Sequence, residues 1–335
     1  MTAVQASDDI YRSANGAGAG ADGEHYFNGS NGKASYHSGV QNGDRVPPAA
    51  LAKDVFSHLT LYTGNTMVTG TTGLLNTSLK KSNQELVSAI DHTLHWSLES
   101  AQIHGRAITV ADKSTLGPLE EDRSKYEITV KLFFLSPHGS SEPLSVDHLH
   151  SAIQHLERAL ATPSGSIKID HFILAIPNQT FDENDLDPSE IEAFGEDVQG
   201  LYLPIWKQLS ELRQRGKIGR LGVSEFSKQQ LEILKAAATK VGAVVPEINQ
   251  VNLHDCCVLP KGLIEYAKAE GIELLTHGDS SDILPKSTLA SLLQPHLPAT
   301  SASLLEPNYV LKYSVLISSR GLVSRKGYIV DAGSK

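Results

Sequence analysis

A chain of 335 residues, 40% of them hydrophobic, is long enough for two average domains or for one α/β barrel of about 250 residues. A formal charge of −9 argues against a nucleic-acid or anionic-membrane surface as the main partner, and no apolar run approaches the roughly 18 residues of a membrane span. The 2 cysteines, Cys256 and Cys257, are neighbours, so they cannot staple distant segments, which suits a reducing compartment such as the cytoplasm.

Residues 1–45 come first and are rich in Gly, Asn, Ser and Ala, as in "SANGAGAGADGEHYFNGSNGKASYHSG". They carry no apolar period, cannot offset their ordering entropy, and are expected to form a disordered tail. Asp8 and Asp9, with no basic stretch leading into an apolar core, speak against an import peptide. Residues 46–335 are expected to be a single domain, because no linker interrupts them. The segments 136–143 and 178–190 read as loops within it.

Strand candidates follow at 59–65, 107–112, 126–135, 167–176, 218–223, 247–253, 272–277 and 321–330. Several are β-branched and apolar on both faces, as covered parallel strands are. Helical stripes lie between them: Leu86, Ile90, Leu94 and Leu98, then Leu149, Ile153, Leu156 and Leu160, then Ile205, Leu209 and Leu212. Ser227 followed by Gln230 is a capping-box signal ahead of Leu231, Leu234, Ala238 and Val241. Further helices fit at 260–270 and around 304–317. Eight strands alternating with helices predict an α/β fold of the (β/α)8 TIM barrel kind, with a doubly wound open sheet as the competitor.

The stretch "LYLPIWKQLSELRQRGKIGRLGVSEFS", with "PEINQVNLH" and "GLIEYAKAEGIELLT" after it, resembles the aldo-keto reductases, which pass a hydride from a nicotinamide cofactor to a carbonyl. The resemblance implies a barrel of aldo-keto reductase type. It places Ser224 and Gln250 where that family holds the nicotinamide carboxamide, and Glu225 where it carries asparagine. Lys131 in "ITVKLFF" matches the lysine of the family's proton-transfer set. The histidine position falls on Ala175, which cannot orient a donor. No tyrosine lies between Tyr62 and Tyr126, where the proton donor belongs, so Asp112 would have no phenol to serve. Arg325 and Lys326 are the residues left to touch a cofactor phosphate, since the sequence stops at Lys335, soon after the last strand. No Gly-x-Gly-x-x-Gly follows a strand, so a Rossmann site is not a substitute.

"LTLYTGNTMVTG", "KLFFL", "GVSEFSKQQLE", "NQVNLHDCCVLPKGLIEYAKAEGIELLTHGD" and "VLKYSVLISSRGLVSRKGYIVDA" are similar to the regulatory (modifier) subunits of glutamate–cysteine ligase. That resemblance implies a non-catalytic, cytoplasmic chain that forms a heterodimer with the catalytic subunit in the first step of glutathione synthesis. The partner is then expected to use glutamate better and to be less inhibited by glutathione. No catalytic residue and no working cofactor are expected; Lys131 is a relic paired with a carboxylate, and any NADPH binding through Ser224 and Gln250 is vestigial. Two other readings stay open: an NADPH-dependent reductase of small carbonyl compounds, and an NADPH sensor without chemistry.

Cys256 and Cys257 are either a redox-responsive or partner-linking pair, or two small buried thiols. His254, Cys256, Cys257, His277 and Asp279 converge on one end of the sheet, but their spacing is no zinc signature, and ordinary loop hydrogen bonding is the favoured account. Trp96, Trp206 and Tyr202 lie on helices, where packing is their expected role.

Overall fold

Short apolar runs that alternate with amphipathic helices build one mixed sheet of ten strands with helices on both faces. The computed structural model describes residues 55–68, 82–114, 116–135, 143–160, 167–182, 186–253, 259–280 and 282–334. The expected tail at 1–45 lies outside the described residues.

The strands are β1 (His58–Tyr62), β2 (Gln102–His104), β3 (Ala107–Ala111), β4 (Tyr126–Phe134), β5 (Ile169–Ala175), β6 (Ile218–Ser224), β7 (Ile248–Asn252), β8 (Glu273–His277), β9 (Leu305–Ile317) and β10 (Leu322–Ser334). Their order across the sheet is β2-β3-β1-β10-β9-β4-β5-β6-β7-β8. From β4 to β8 every pairing is parallel, and β1 pairs in parallel with β3. Each of the eight expected strand segments is present.

The eighth differs in direction. Residues 321–330 fall in β10, which runs antiparallel to β1 on one side and to β9 on the other. The helix expected around 304–317 is instead strand β9, antiparallel to β4. Tyr309 and Tyr313 stand four residues apart, which fits a helix stripe, but every fourth residue is also every second. Tyr309, Leu311, Tyr313 and Val315 face one cluster while Val310 faces the other. Valines and tyrosines suit that pleated surface, and the ladder to β4 decides between the two periods. The hairpin of β9 and β10 therefore stands between β1 and β4, turning at Gly321, whose φ of 63° a side chain would resist.

The described helices are α1 (Ser82–Ser97), α2 (Val146–Leu160), α3 (Pro188–Asp197), α4 (Leu203–Gln214), α5 (Lys228–Lys240), α6 (Lys261–Glu270), α7 (Lys286–Leu293) and α8 (Ala299–Leu304). A π-turn at Val198–Tyr202 joins α3 to α4. Helix α5 starts as its sequence asks: Ser227 Oγ accepts from Gln230 N at 3.3 Å, and Gln230 Oε1 accepts from Ser227 N at 2.9 Å. Helix α6 ends on Gly271 in the left-handed region, φ 70°. Among the described residues no helix is long and apolar enough to cross a membrane.

Period-two alternation divides the core between the two sides of the sheet. Ile128, Val130, Leu132 and Phe134 of β4 face one side, with Leu156 of α2, Trp206 of α4, Leu234 of α5 and Leu263 of α6. Phe133 and Ala175 face the other, with Leu86, Ile90 and Leu94 of α1 and Leu289 and Leu293 of α7. The second side holds the polar residues of interest.

Candidate functional site

Lys131 shares the second face of β4 with Phe133, and its ammonium lies 5.0 Å from the Phe133 ring centroid. Across the ladder its register partner is Lys312 of β9. Two lysines directly opposite one another repel, and a carboxylate resolves the conflict. Asp279, just past β8, receives Lys131 Nζ on Oδ2 at 2.9 Å and Lys312 Nζ on Oδ1 at 2.6 Å. The side chains of Lys131 and Asp279 are 5% and 2% exposed. Asn252 Nδ2 pins the Asp279 backbone carbonyl at 3.0 Å.

Burial lowers the Lys131 ammonium from its ordinary pKa, against the pull of Asp279. Burial also pushes the Asp279 carboxyl up, but Lys131, Lys312 and His277 outweigh it and hold the carboxyl well below its usual range. The result is an ionised bridge between two cations.

His277, the last residue of β8, continues the network. Its Nδ1 accepts the Asp279 backbone N–H at 3.0 Å, so the ring proton resides on Nε2. That Nε2–H faces Glu225 Oε1 at 2.5 Å, with Ser224 Oγ 3.1 Å away. Glu225 adopts φ 64°, a left-handed conformation that asparagine enters more cheaply than glutamate, and its N–H is held by the Gln250 carbonyl at 2.7 Å. Burial lowers the His277 pKa from 6.5, against the pull of Glu225 and with the Lys131 charge adding to the fall.

That shift has a sign that can be measured. Below about pH 6.5 the unfolded chain protonates this histidine before the folded chain does, so stability falls as pH drops through that value. His277→Gln, which keeps an acceptor and a donor, is expected to lessen the loss between about pH 7.5 and about pH 5.5. Urea melts of both proteins at both pH values check it; equal slopes would remove His277 as the cause.

The residues singled out in the sequence thus distribute as follows. Lys131 and Ser224 join one polar network with Asp279, His277 and Glu225, while Gln250 contributes its backbone carbonyl from the neighbouring strand. Ala175 sits at the end of β5 in an apolar row with Phe133. Asp112 turns its carboxylate onto Ser114, accepting from its N–H at 3.0 Å and its hydroxyl at 2.5 Å. Tyr62, Tyr309 and Tyr313 face the side of the sheet opposite Lys131, whereas Tyr328 shares its side, and the Lys131 ammonium donates to Asp279. Arg325 donates to the carbonyls of Gly117 and Pro118, and Lys326 pairs with Glu85 at 2.5 Å. Cys256, Cys257 and His254 lie outside the described residues, and among those described no three His, Cys, Asp or Glu side chains are grouped to hold a metal. Lys312 was hidden from sequence reasoning by the helix expected there; its strand alternation was the available signal.

A family model for the aldo/keto reductase family matches residues 76–278. The glutamate–cysteine ligase regulatory subunit of Mus musculus is 31% identical over 294 residues, covering 86% of this chain and 96% of the relative. That of Bos taurus is 30% identical over 297 residues, covering 87% and 97%. A putative glutamate–cysteine ligase regulatory subunit of Schizosaccharomyces pombe is 29% identical over 292 residues, covering 82% and 96%. The chain belongs to the aldo/keto reductase family and, within it, to the glutamate–cysteine ligase regulatory subunits.

Proposed function

We infer that this chain is a non-catalytic subunit that binds the catalytic subunit of glutamate–cysteine ligase as a heterodimer in the cytoplasm and raises its activity. The observation that carries the reading is the likeness to regulatory subunits along 96% of the mouse relative's length. The site is compatible with it. The Lys131 ammonium is spent on Asp279, Ala175 occupies the histidine position, and Ser224 is turned toward His277 rather than toward a ligand. Arg325 and Lys326 are engaged within the fold, so neither is left over to clamp a cofactor phosphate. On this reading no cofactor takes part in chemistry, and any NADPH binding at Ser224 and Gln250 is a remnant.

An activator must bind the active form of its partner more tightly than the inactive form. Adding the purified chain to the purified catalytic subunit is expected to lower the glutamate concentration needed for half-maximal rate. A tagged chain is expected to bring that subunit from cell extract at near-native salt. Identical kinetics with and without the chain, and a clean pull-down, would sink the reading. NADPH-dependent turnover of small aldehydes that vanishes in Lys131→Met would replace it with a reductase. The phenol to substitute next would then be Tyr328, the register partner of Lys312 on the same face as Lys131.

A further inference from the structure

On the α2 side of the sheet, away from the Lys131 network, a small concavity opens to solvent beside β3. Its floor is set by cross-strand pairs. Gln102 of β2 lies opposite Thr109 of β3, and Ala111 of β3 lies opposite Tyr62 of β1. The end of α2 supplies one wall with Arg158 and Ala159, and the loop after β3 supplies another with Lys113 and Leu116. An apolar floor with a few convergent polar groups is the usual composition of a small-molecule site.

The charge at this mouth is opposite to that of the chain. The whole sequence carries −9, yet among the described residues two cations and no carboxylate line the concavity. Lys113 is exposed and has no ion-pair or hydrogen-bond partner among the described residues. Arg158 is exposed as well, and among the described residues it makes a long 3.4 Å approach to the Tyr62 hydroxyl. Burial raises the Tyr62 pKa, and Arg158 opposes that rise, so the phenol stays neutral and able to donate. The carboxylate felt from below, Asp331, is already paired with His58 at 3.0 Å and with Asn308 at 2.8 Å.

We propose that this concavity binds a small organic carboxylate, its apolar body on the floor made by Tyr62, Ala111, Leu116 and Ala159 and its charge between Arg158 and Lys113. The guanidinium offers the planar fork that a carboxylate accepts, and the ammonium adds a point charge. Inorganic phosphate satisfies the cations but leaves the floor wet; a neutral body of the same shape does the reverse. The site goes beyond the regulatory reading and stands or falls apart from it.

Calorimetric titration of the full chain tests it with three probes: phenylacetate, 2-phenylethanol and inorganic phosphate. Phenylacetate is expected to saturate with a Kd of about a millimolar or below, at least about fivefold tighter than either control. Lys113→Met and Arg158→Met are each expected to weaken it about fivefold or more, with unchanged melting temperature for the partnerless Lys113. Raising salt from about 50 mM to about 500 mM should weaken it several-fold. The proposal is overturned if phenylacetate fails to saturate by about 10 mM, if 2-phenylethanol or phosphate binds equally well, or if both variants bind as the parent does. None of these results bears on whether the catalytic subunit co-purifies.

Discussion

Asp279→Asn is expected to cost about 3–5 kcal/mol of folding free energy, the usual penalty for removing one partner of a buried ion pair. The substitution keeps the size of the side chain and deletes its charge. Lys131 is then a buried ammonium facing a second lysine across the ladder, with no anion between them. Lys312, 21% exposed, can swing toward water, whereas Lys131 cannot. Adding Lys131→Met to Asp279→Asn is therefore expected to recover much of the loss, because the second change removes the uncompensated charge. Denaturant melts of the two single variants and the double variant measure the coupling. A loss under about 1 kcal/mol for Asp279→Asn would mean that both ammonium groups reach water easily, and the bridge would then be incidental. The acid side follows from the same geometry. The Asp279 carboxyl sits well below 3.8 in the folded chain, so its stabilisation is fully present above that value. It is lost progressively as pH falls from that value through the lower folded one.

Trp206→Ala is expected to remove a similar amount, about 3–5 kcal/mol, by opening a cavity under α4. The indole is 1% exposed and packs within the cluster that contains Phe172, Leu209 and Leu234. Its N–H donates to the Val244 carbonyl at 2.8 Å, and Ser210 Oγ accepts the Val244 N–H at 2.7 Å. Both bonds fix the segment that leads into β7. Trp206→Phe keeps much of the ring packing and orphans that carbonyl, so about 1–2 kcal/mol is expected from it. Chemical unfolding of both variants separates packing from hydrogen bonding. Equal losses in the two would show that the bond, not the volume, holds this region. Trp96 is 61% exposed and serves as an emission reference beside the buried indole.

The parallel half of the sheet was legible because its strands are short, apolar and punctuated. "IGRLGV" follows a glycine turn at Gly216, φ 74°, and leads into the Ser227 capping box, so strand and helix are both marked by chemistry. Helix α1 carries three of its four stripe positions, Leu86, Ile90 and Leu94, and Leu98 opens the 3-10 turn after it; all four are buried. The hairpin was not legible in the same way, since a spacing of four serves both helix and strand, and only pairing with β1 and β4 selects one. That error carried into the site. Lys131 was identifiable from its neighbours in "ITVKLFF", but Lys312, placed on a helix, was not seen to oppose it. Strand adjacency groups Asp279 with His277 and the residues after β7, whereas its bridging role depends on a strand far along the chain. Glu225 was marked as a departure from asparagine, and its left-handed φ shows why an asparagine is at home there. Its contact with the His277 ring could not be read from spacing.

The hairpin of β9 and β10 is also the seam of the sheet. Remove it and the ladder separates into β2-β3-β1 on one side and β4 to β8 on the other. The rims of β1 and β4 would then lie bare, as open templates for pairing with other chains. During synthesis His58 emerges long before Gly333, its partner across the ladder, and contacts so distant in sequence slow folding. Until the hairpin is made, the half-sheets β2-β3-β1 and β4 to β8 have no ladder to join them, and the inner rim of β1 is the edge that waits longest for its partner.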